Sequence, residues 1–307
     1  MKIKHIDFDG LKALEVLTSK IKMIVVTSKG PRISYFGKKY GENLLYWQNN
    51  DIGRKGWRLL GGHRVWITRP GADESEDTYA ADNEPCDINI TNSKITITGR
   101  PHPFLHVSRG IEITAVNEEV FSIRSFLTNN GPMLYSGGVW APTCTNPAGG
   151  KEYGIPLGDR NKSWDVIKIV IPRAFAGHTS RINDPQVSFN EDFMIVNPQG
   201  IETKRMVMAP MGIIAMTYPQ KGISFLKLSH FNPIGQYPIG CNLAIYIAPD
   251  NLMVEMETYG AENTVLPGKS IYNQEYWALV DRVFDWKDPT EMKEIFAEKK
   301  ILETDIE

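Results

Sequence analysis

Cysteine is scarce and unpatterned in this chain: Cys86, Cys144 and Cys241 are the only three in 307 residues, widely spaced and in no CxxC arrangement. That pattern suits buried thiols in a reducing, cytoplasmic compartment and not a disulfide framework. Long apolar runs are also missing. No segment approaches the eighteen or more apolar residues of a spanning helix, and Met1-Lys2-Ile3-Lys4-His5-Ile6-Asp7 lacks the apolar stretch of a secretion signal. Neither a membrane span nor standard secretion is expected. Charge of one sign is lacking too, since 34 Lys and Arg oppose 36 Asp and Glu for a net charge of −2. With the basic residues spread out there is no footprint for a phosphate backbone, so nucleic acid is not an expected partner. Histidines number six, and their one close pair, His102 with His106, lies in a Pro-flanked segment. A metal site needs three or four convergent ligands, so none is expected. GxSxG, GxxxxGK[ST] and a strand-borne GxGxxG are all absent, which removes the common hydrolase, nucleotide and dinucleotide signatures.

What is present is apolar bulk in short pieces. An apolar content of 42%, with 10% aromatic, is enough to bury a sizeable core. It is distributed as short runs rich in β-branched and aromatic residues, separated by turn residues. Met23 to Thr27 leads through Ser28-Lys29-Gly30-Pro31 into Arg32 to Phe36. Similar pairs follow at 88–97, at 111–115 with 120–127, at 213–218 with 223–228, and at 243–247 with 254–258; single runs stand at 166–171, 193–196 and 276–280. Asn129-Asn130-Gly131-Pro132 and Ala248-Pro249-Asp250-Asn251 are turns of the kind that close antiparallel connections. The spacing predicts an all-β, mostly antiparallel protein. Two regions depart from it. Lys55 to Asp82, rich in Gly, Pro, Trp, His and Arg, reads as a long ordered loop carrying function. From Asp288-Pro289-Thr290-Glu291 onward a cap-like start and apolar Met292, Ile295, Phe296 and Ile301 predict a short C-terminal helix packed over one edge. With no internal repeat and no linker, residues 1–307 read as one domain.

The stretch Val254-Glu255-Met256-Glu257-Thr258 sets two carboxylates inside an otherwise apolar strand. Strand side chains alternate faces, so Glu255 and Glu257 point the same way while Val254, Met256 and Thr258 point the other. Such a pair is either the solvated outer face of a sheet or two partly dried acids whose titrations split into a base and an acid. Trp57, Trp66 and Trp140 offer flat apolar faces, and Glu255, Glu257, Lys204, Arg64 and His63 offer directional hydrogen bonds. A polar ligand with apolar faces, such as a sugar, needs that combination. Tryptophans of a β protein also serve as core. Trp140 after Gly137-Gly138, and Trp66 in the irregular loop, are expected to be more exposed than Trp277 in its alternating strand.

The order of several short motifs resembles a known superfamily. Gly30-Pro31-Arg32-Ile33, Asn43-Leu44-Leu45, Gly61-Gly62-His63-Arg64-Val65-Trp66, Leu127-Thr128-Asn129-Asn130-Gly131, Val254-Glu255, Leu266-Pro267-Gly268-Lys269-Ser270 and a strand with Trp277 follow one another as in galactose mutarotase-like proteins, over about residues 20–282. The chain looks closer to a bacterial branch of unassigned activity than to the aldose 1-epimerases themselves. The resemblance implies a β-supersandwich with a sugar-binding cleft across one sheet, and an isomerase activity that interconverts sugar anomers without a cofactor. A glutamate on the late strand would be the base, which falls on Glu255, with Glu257 as the alternative. The acid is a histidine that the superfamily carries shortly after the Leu-Thr-Asn strand, where this chain reads Ser136-Gly137-Gly138-Val139-Trp140-Ala141. His63 is taken as its substitute, with His106 or Lys204 as alternatives. Arg64 and Lys204 would bind hydroxyl or acidic groups of a neutral or anionic sugar, and Trp66 and Trp140 would stack on it. The alternative from another class is a carbohydrate-binding or sensing protein that kept the cleft and lost the acid.

Overall fold

The computed structural model describes residues 1–49, 53–54, 57–68, 82–91, 93–158, 168–173, 179–298 and 301. Antiparallel strands dominate it. At the N-terminus Lys2–Phe8, Leu11–Leu17, Ile21–Val26 and Arg32–Lys38 form a four-stranded meander. Its first turn is Asp9-Gly10, both at positive φ (55° and 74°), the backbone that a two-residue hairpin with right-handed twist requires.

Two larger sheets follow. The ten-stranded sheet has at its centre Ile213–Tyr218, Ile223–Ser229, Ser270–Val280, Val120–Asn129 and Val107–Ala115, in that spatial order. The seven-stranded sheet runs Ile169–Pro172, Thr203–Met208, Leu243–Ile247, Val254–Tyr259, Tyr135–Thr145 and Asn263–Val265, with Trp66–Thr68 paired to Tyr135–Thr145. Each predicted hairpin pair is found: 21–26 with 32–38, with a register shift between Ile24 and Val25, and, in continuous register, 87–90 with 94–98, 107–115 with 120–129, 213–218 with 223–229, and 243–247 with 254–259. The Asn129-Asn130-Gly131 turn differs from expectation. It carries the chain from the ten-stranded sheet to the seven-stranded one, and Asn129 ties it down by donating from Nδ2 to the carbonyls of Met133 (2.8 Å) and Val265 (2.9 Å).

The core lies between the sheets. Val254 and Met256 enter it from the seven-stranded sheet, Phe121, Phe225 and Trp277 from the ten-stranded one, and Phe36 from the N-terminal meander. Phe36 meets Trp277 edge-on at 5.2 Å, a geometry aromatic quadrupoles favour, and Phe225 in a tilted contact at 4.9 Å. Trp277 is fully buried, as its alternating strand predicts. The C-terminal helix Thr290–Glu298 starts where Asp288 accepts from the backbone N–H of Thr290 at 2.9 Å. Its Met292, Ile295 and Phe296 pack with Leu226, Leu228 and Tyr276 on the outer face of the ten-stranded sheet, so the helix covers a face and not an edge. Among the described residues no helix is long and apolar enough to cross a membrane.

Candidate functional site

The expected loop at 55–82 is partly strand. Gly61 and Gly62 both take positive φ (81° and 73°), and a Cβ at either would collide with the carbonyl of Tyr46 or of Ile33. This close approach lets His63 bridge Ile33 on one side and Thr143 on the other, and it places Trp66–Thr68 against Tyr135–Thr145. Extended backbone then imposes alternation: His63 and Arg64 must point to opposite faces. Residues 69–81 and the side chain of Trp57 lie outside the described residues.

Arg64 turns to the outer face of the seven-stranded sheet, and Glu255 and Glu257 are there because Val254 and Met256 enter the core. The ladder brings their companions. Cys144 lies opposite Glu255 and Pro142 opposite Glu257 on one side, with Tyr246 and Ala244 on the other. Lys204 is opposite Tyr246, while Trp140 faces both Tyr259 and Trp66. Six of the seven expected site residues, Arg64, Trp66, Trp140, Lys204, Glu255 and Glu257, therefore share one face.

Within this acid layer each carboxylate has its own cation. Arg64 Nη2 donates to Glu255 Oε1 at 3.0 Å, and the Cys144 thiol donates to the same oxygen at 3.2 Å. Glu257 Oε2 accepts from Trp140 Nε1 (2.8 Å) and Tyr259 Oη (2.6 Å), and it lies 3.2 Å from Lys204 Nζ. The guanidinium of Arg64 sits 4.1 Å over the Trp66 ring and the Lys204 ammonium 4.8 Å over Trp140, so the cations also lie on aromatic faces. Burial disfavours the charge of Arg64, but the attraction of Cys144 once that thiol ionises at high pH, and of the carboxylates Glu255 and Asp82, outweighs it and raises its pKa. Burial, and then the neighbouring Glu255, push the Cys144 thiol well above its ordinary value, so it stays protonated and able to donate. Glu255 Oε2 takes no hydrogen bond from any described residue, and Glu255 is 6% exposed where Glu257 is fully buried.

The structure corrects two expectations. Trp66 and Trp140, expected to be exposed, are only 3% and 1% exposed, because they close on each other edge-on at 4.9 Å and Trp140 stacks on Tyr259. They form the apolar wall of the layer, not open platforms. His63, expected as the acid, is fully buried on the inner face of the sheet, its Nδ1 2.9 Å from Thr143 Oγ1 and its Nε2 3.3 Å from Ser125 Oγ. Burial, then the charges of Lys227, Arg64 and Arg32, hold its pKa well below the usual histidine value. Of the described histidines, none lies in a strand of the acid-layer face. Sequence reasoning missed Cys144, Tyr246 and Tyr259. Tyr259 was legible, since it continues the alternation of Glu255 and Glu257; Cys144 and Tyr246 come from the pairing of distant strands. A surface hollow of about 590 Å³ is lined by other residues, among them Lys20, Lys38, Glu42, Lys221 and Asp281.

Fold and site together define an antiparallel β-sandwich with a buried layer of two carboxylates, two cations and two tryptophans on the outer face of one sheet. Its fold is similar to that of galactose mutarotase-like proteins. The chain is similar to a galactose mutarotase-like protein from Lactobacillus casei ATCC 334, with a TM-score of 0.60 at 11% identity over 87% of this chain and 100% of that one. A candidate aldose 1-epimerase from Escherichia coli K12 gives 0.60 at 11% identity, over 88% and 99%. A candidate mutarotase from Salmonella typhimurium gives 0.59 at 14%, over 91% and 94%. By sequence, no family model and no curated protein matches.

Proposed function

We propose that this protein binds a carbohydrate on the acid-layer face and interconverts the anomers of an aldose by general acid–base catalysis, with Glu255 as the base. One observation carries the reading. Glu255 is fixed through one oxygen by Arg64 and Cys144, while its other oxygen takes no hydrogen bond from the described residues. A carboxylate held by one edge with the other available is arranged to take a proton from a sugar hydroxyl, and a well-placed base contributes on the order of 10²–10⁴ in rate. Trp66 and Trp140 would supply the apolar wall, and Arg64, Lys204 and Glu257 the polar contacts to a neutral or anionic sugar. With His63 on the inner face, the proton donor falls to Lys204, two strands from Glu255 on the same face. The three thiols, none of them in a disulfide, fit a cytoplasmic location.

A second reading, a carbohydrate-binding or sensing protein without turnover, is favoured by the absence of a histidine from the described strands of this face. Anomeric exchange by NMR, on a panel of neutral, acidic and phosphorylated aldoses, separates the two. Accelerated exchange that falls by about 10²-fold or more in Glu255→Gln supports the enzyme. Line broadening without exchange supports the binding protein, and neither effect on any sugar refutes both.

A further inference from the structure

Directly beneath the acid layer, the apolar interior of the sandwich holds a charged pair. Lys227 and Glu275 are both fully buried, with Nζ 2.9 Å from Oε1. They sit on neighbouring strands of the ten-stranded sheet, Ile223–Ser229 and Ser270–Val280, and reach across the gap to the other sheet. Lys227 Nζ donates to Thr143 Oγ1 (2.7 Å), to the Met256 carbonyl (2.9 Å) and, more weakly, to the Ala141 carbonyl (3.5 Å). Glu275 accepts from the hydroxyl of Thr258 and, at 3.0 Å, from the indole of Trp277. Thr143 Oγ1 also lies 2.9 Å from His63 Nδ1, which brings the segment 61–64 into the same network.

Stability alone does not account for such a pair. Taking both charges out of water is unfavourable, and well-packed apolar residues of similar volume often serve a core at least as well. Alternation gives the network another meaning. His63 precedes Arg64, Ala141 follows Trp140, Thr143 precedes Cys144, Met256 stands between Glu255 and Glu257, and Thr258 lies between Glu257 and Tyr259. Apart from Trp277 of the pair's own sheet, every group held from below is the chain neighbour of a residue in the layer above.

We propose that Lys227 and Glu275 are positioning residues that hold three separate segments, 63–64, 140–144 and 255–259, in the mutual placement the acid layer needs. Only the consequence for turnover rests on the proposed function; the placement itself does not. The full-length protein, labelled with ¹⁵N-tryptophan, supplies a readout independent of any sugar, because Trp140 donates its indole N–H to Glu257. Trp140→Phe assigns the resonance. The test variant is Lys227→Met/Glu275→Gln, which removes both charges and keeps an acceptor for Trp277. The expected result is a protein with near wild-type melting whose Trp140 indole signal moves or broadens beyond detection. If the wild type exchanges sugar anomers, kcat should also fall, by up to about 10²-fold for a misplacement near 1 Å. A double variant whose Trp140 signal stays at the wild-type position would overturn the proposal and leave the pair a purely structural element. Should that variant not fold, Thr143→Val cuts one link while leaving the ion pair, and the same shift or its absence decides. A wild type without sugar exchange would remove the proposed function while leaving this test intact.

Discussion

Replacing Lys204 with methionine should expose how the acid layer is held. Methionine keeps the apolar stem that lies along Trp140 but removes the ammonium 3.2 Å from Glu257. Glu257 is fully buried, so its charge cannot turn to water. Breaking one side of a buried pair typically costs about 3–5 kcal/mol, and the surviving bonds from Trp140 and Tyr259 place Lys204→Met near the lower end, about 3 kcal/mol. At roughly 2 °C per kcal/mol for a chain of this size, the melting temperature should fall by about 6 °C. In Lys204→Met/Glu257→Gln the amide oxygen still accepts from Trp140 and Tyr259 without a buried charge, and most of the loss should be recovered. Thermal and urea unfolding followed by circular dichroism measure both. A single variant within about 0.5 kcal/mol of wild type, as expected for a solvated surface pair, would refute the buried acid layer. A double variant no more stable than the single would refute the pairing.

Two further outcomes follow from the interior. His63 is held neutral in the native state and takes a proton freely only on unfolding. Its contribution is therefore fully present above the unfolded value of about 6.5 and is lost as pH falls below it, at up to about 1.4 kcal/mol per pH unit. Urea midpoints at pH 7.5 and pH 5 should drop less in His63→Gln than in wild type, and parallel drops would show that another group controls the acid limb. Gly154 lies against the Trp286 ring, which a Cβ there would strike. Gly154→Ala should cost about 1–3 kcal/mol in thermal unfolding, as overpacking does, and a neutral result would mean that Trp286 is free to move aside.

Much of this fold was legible in the chain because antiparallel hairpins announce themselves locally. The 243–247 and 254–259 pair has its turn residues between two alternating runs, and alternation alone put Glu255 and Glu257 together on one face. The same cue was present at Asp9-Gly10, yet the first hairpin was overlooked because Lys2, Lys4, His5 and Asp7 make its strand polar. His63 was misassigned for a different reason. In a segment read as loop no period applies, and only the long-range bridges to Ile33 and Thr143 make it extended and turn His63 inward. Trp140 looked exposed because it follows Gly137-Gly138 and Trp66 because it lies in an irregular loop, whereas their burial comes from each other and from Tyr259, distant in sequence from Trp66 and Trp140. Lys227 and Glu275 gave no signal, since a charged residue in an alternating strand is ordinarily placed on the solvated side. Apart from each other and Trp277, their partners Thr143, Ala141, Met256 and Thr258 belong to another sheet.

If Glu255 is the base, its available oxygen faces the sugar. A crystal structure of the full-length protein with an aldose, at a resolution that separates hydroxyls from ring carbons, tests it most directly. The sugar should be seated on the outer face of the seven-stranded sheet, with a hydroxyl or ring oxygen within hydrogen-bond distance of Glu255 Oε2 and with Oε1 still held by Arg64 and Cys144. A sugar bound away from this face, or a Glu255 that keeps both oxygens turned into the protein, would contradict it.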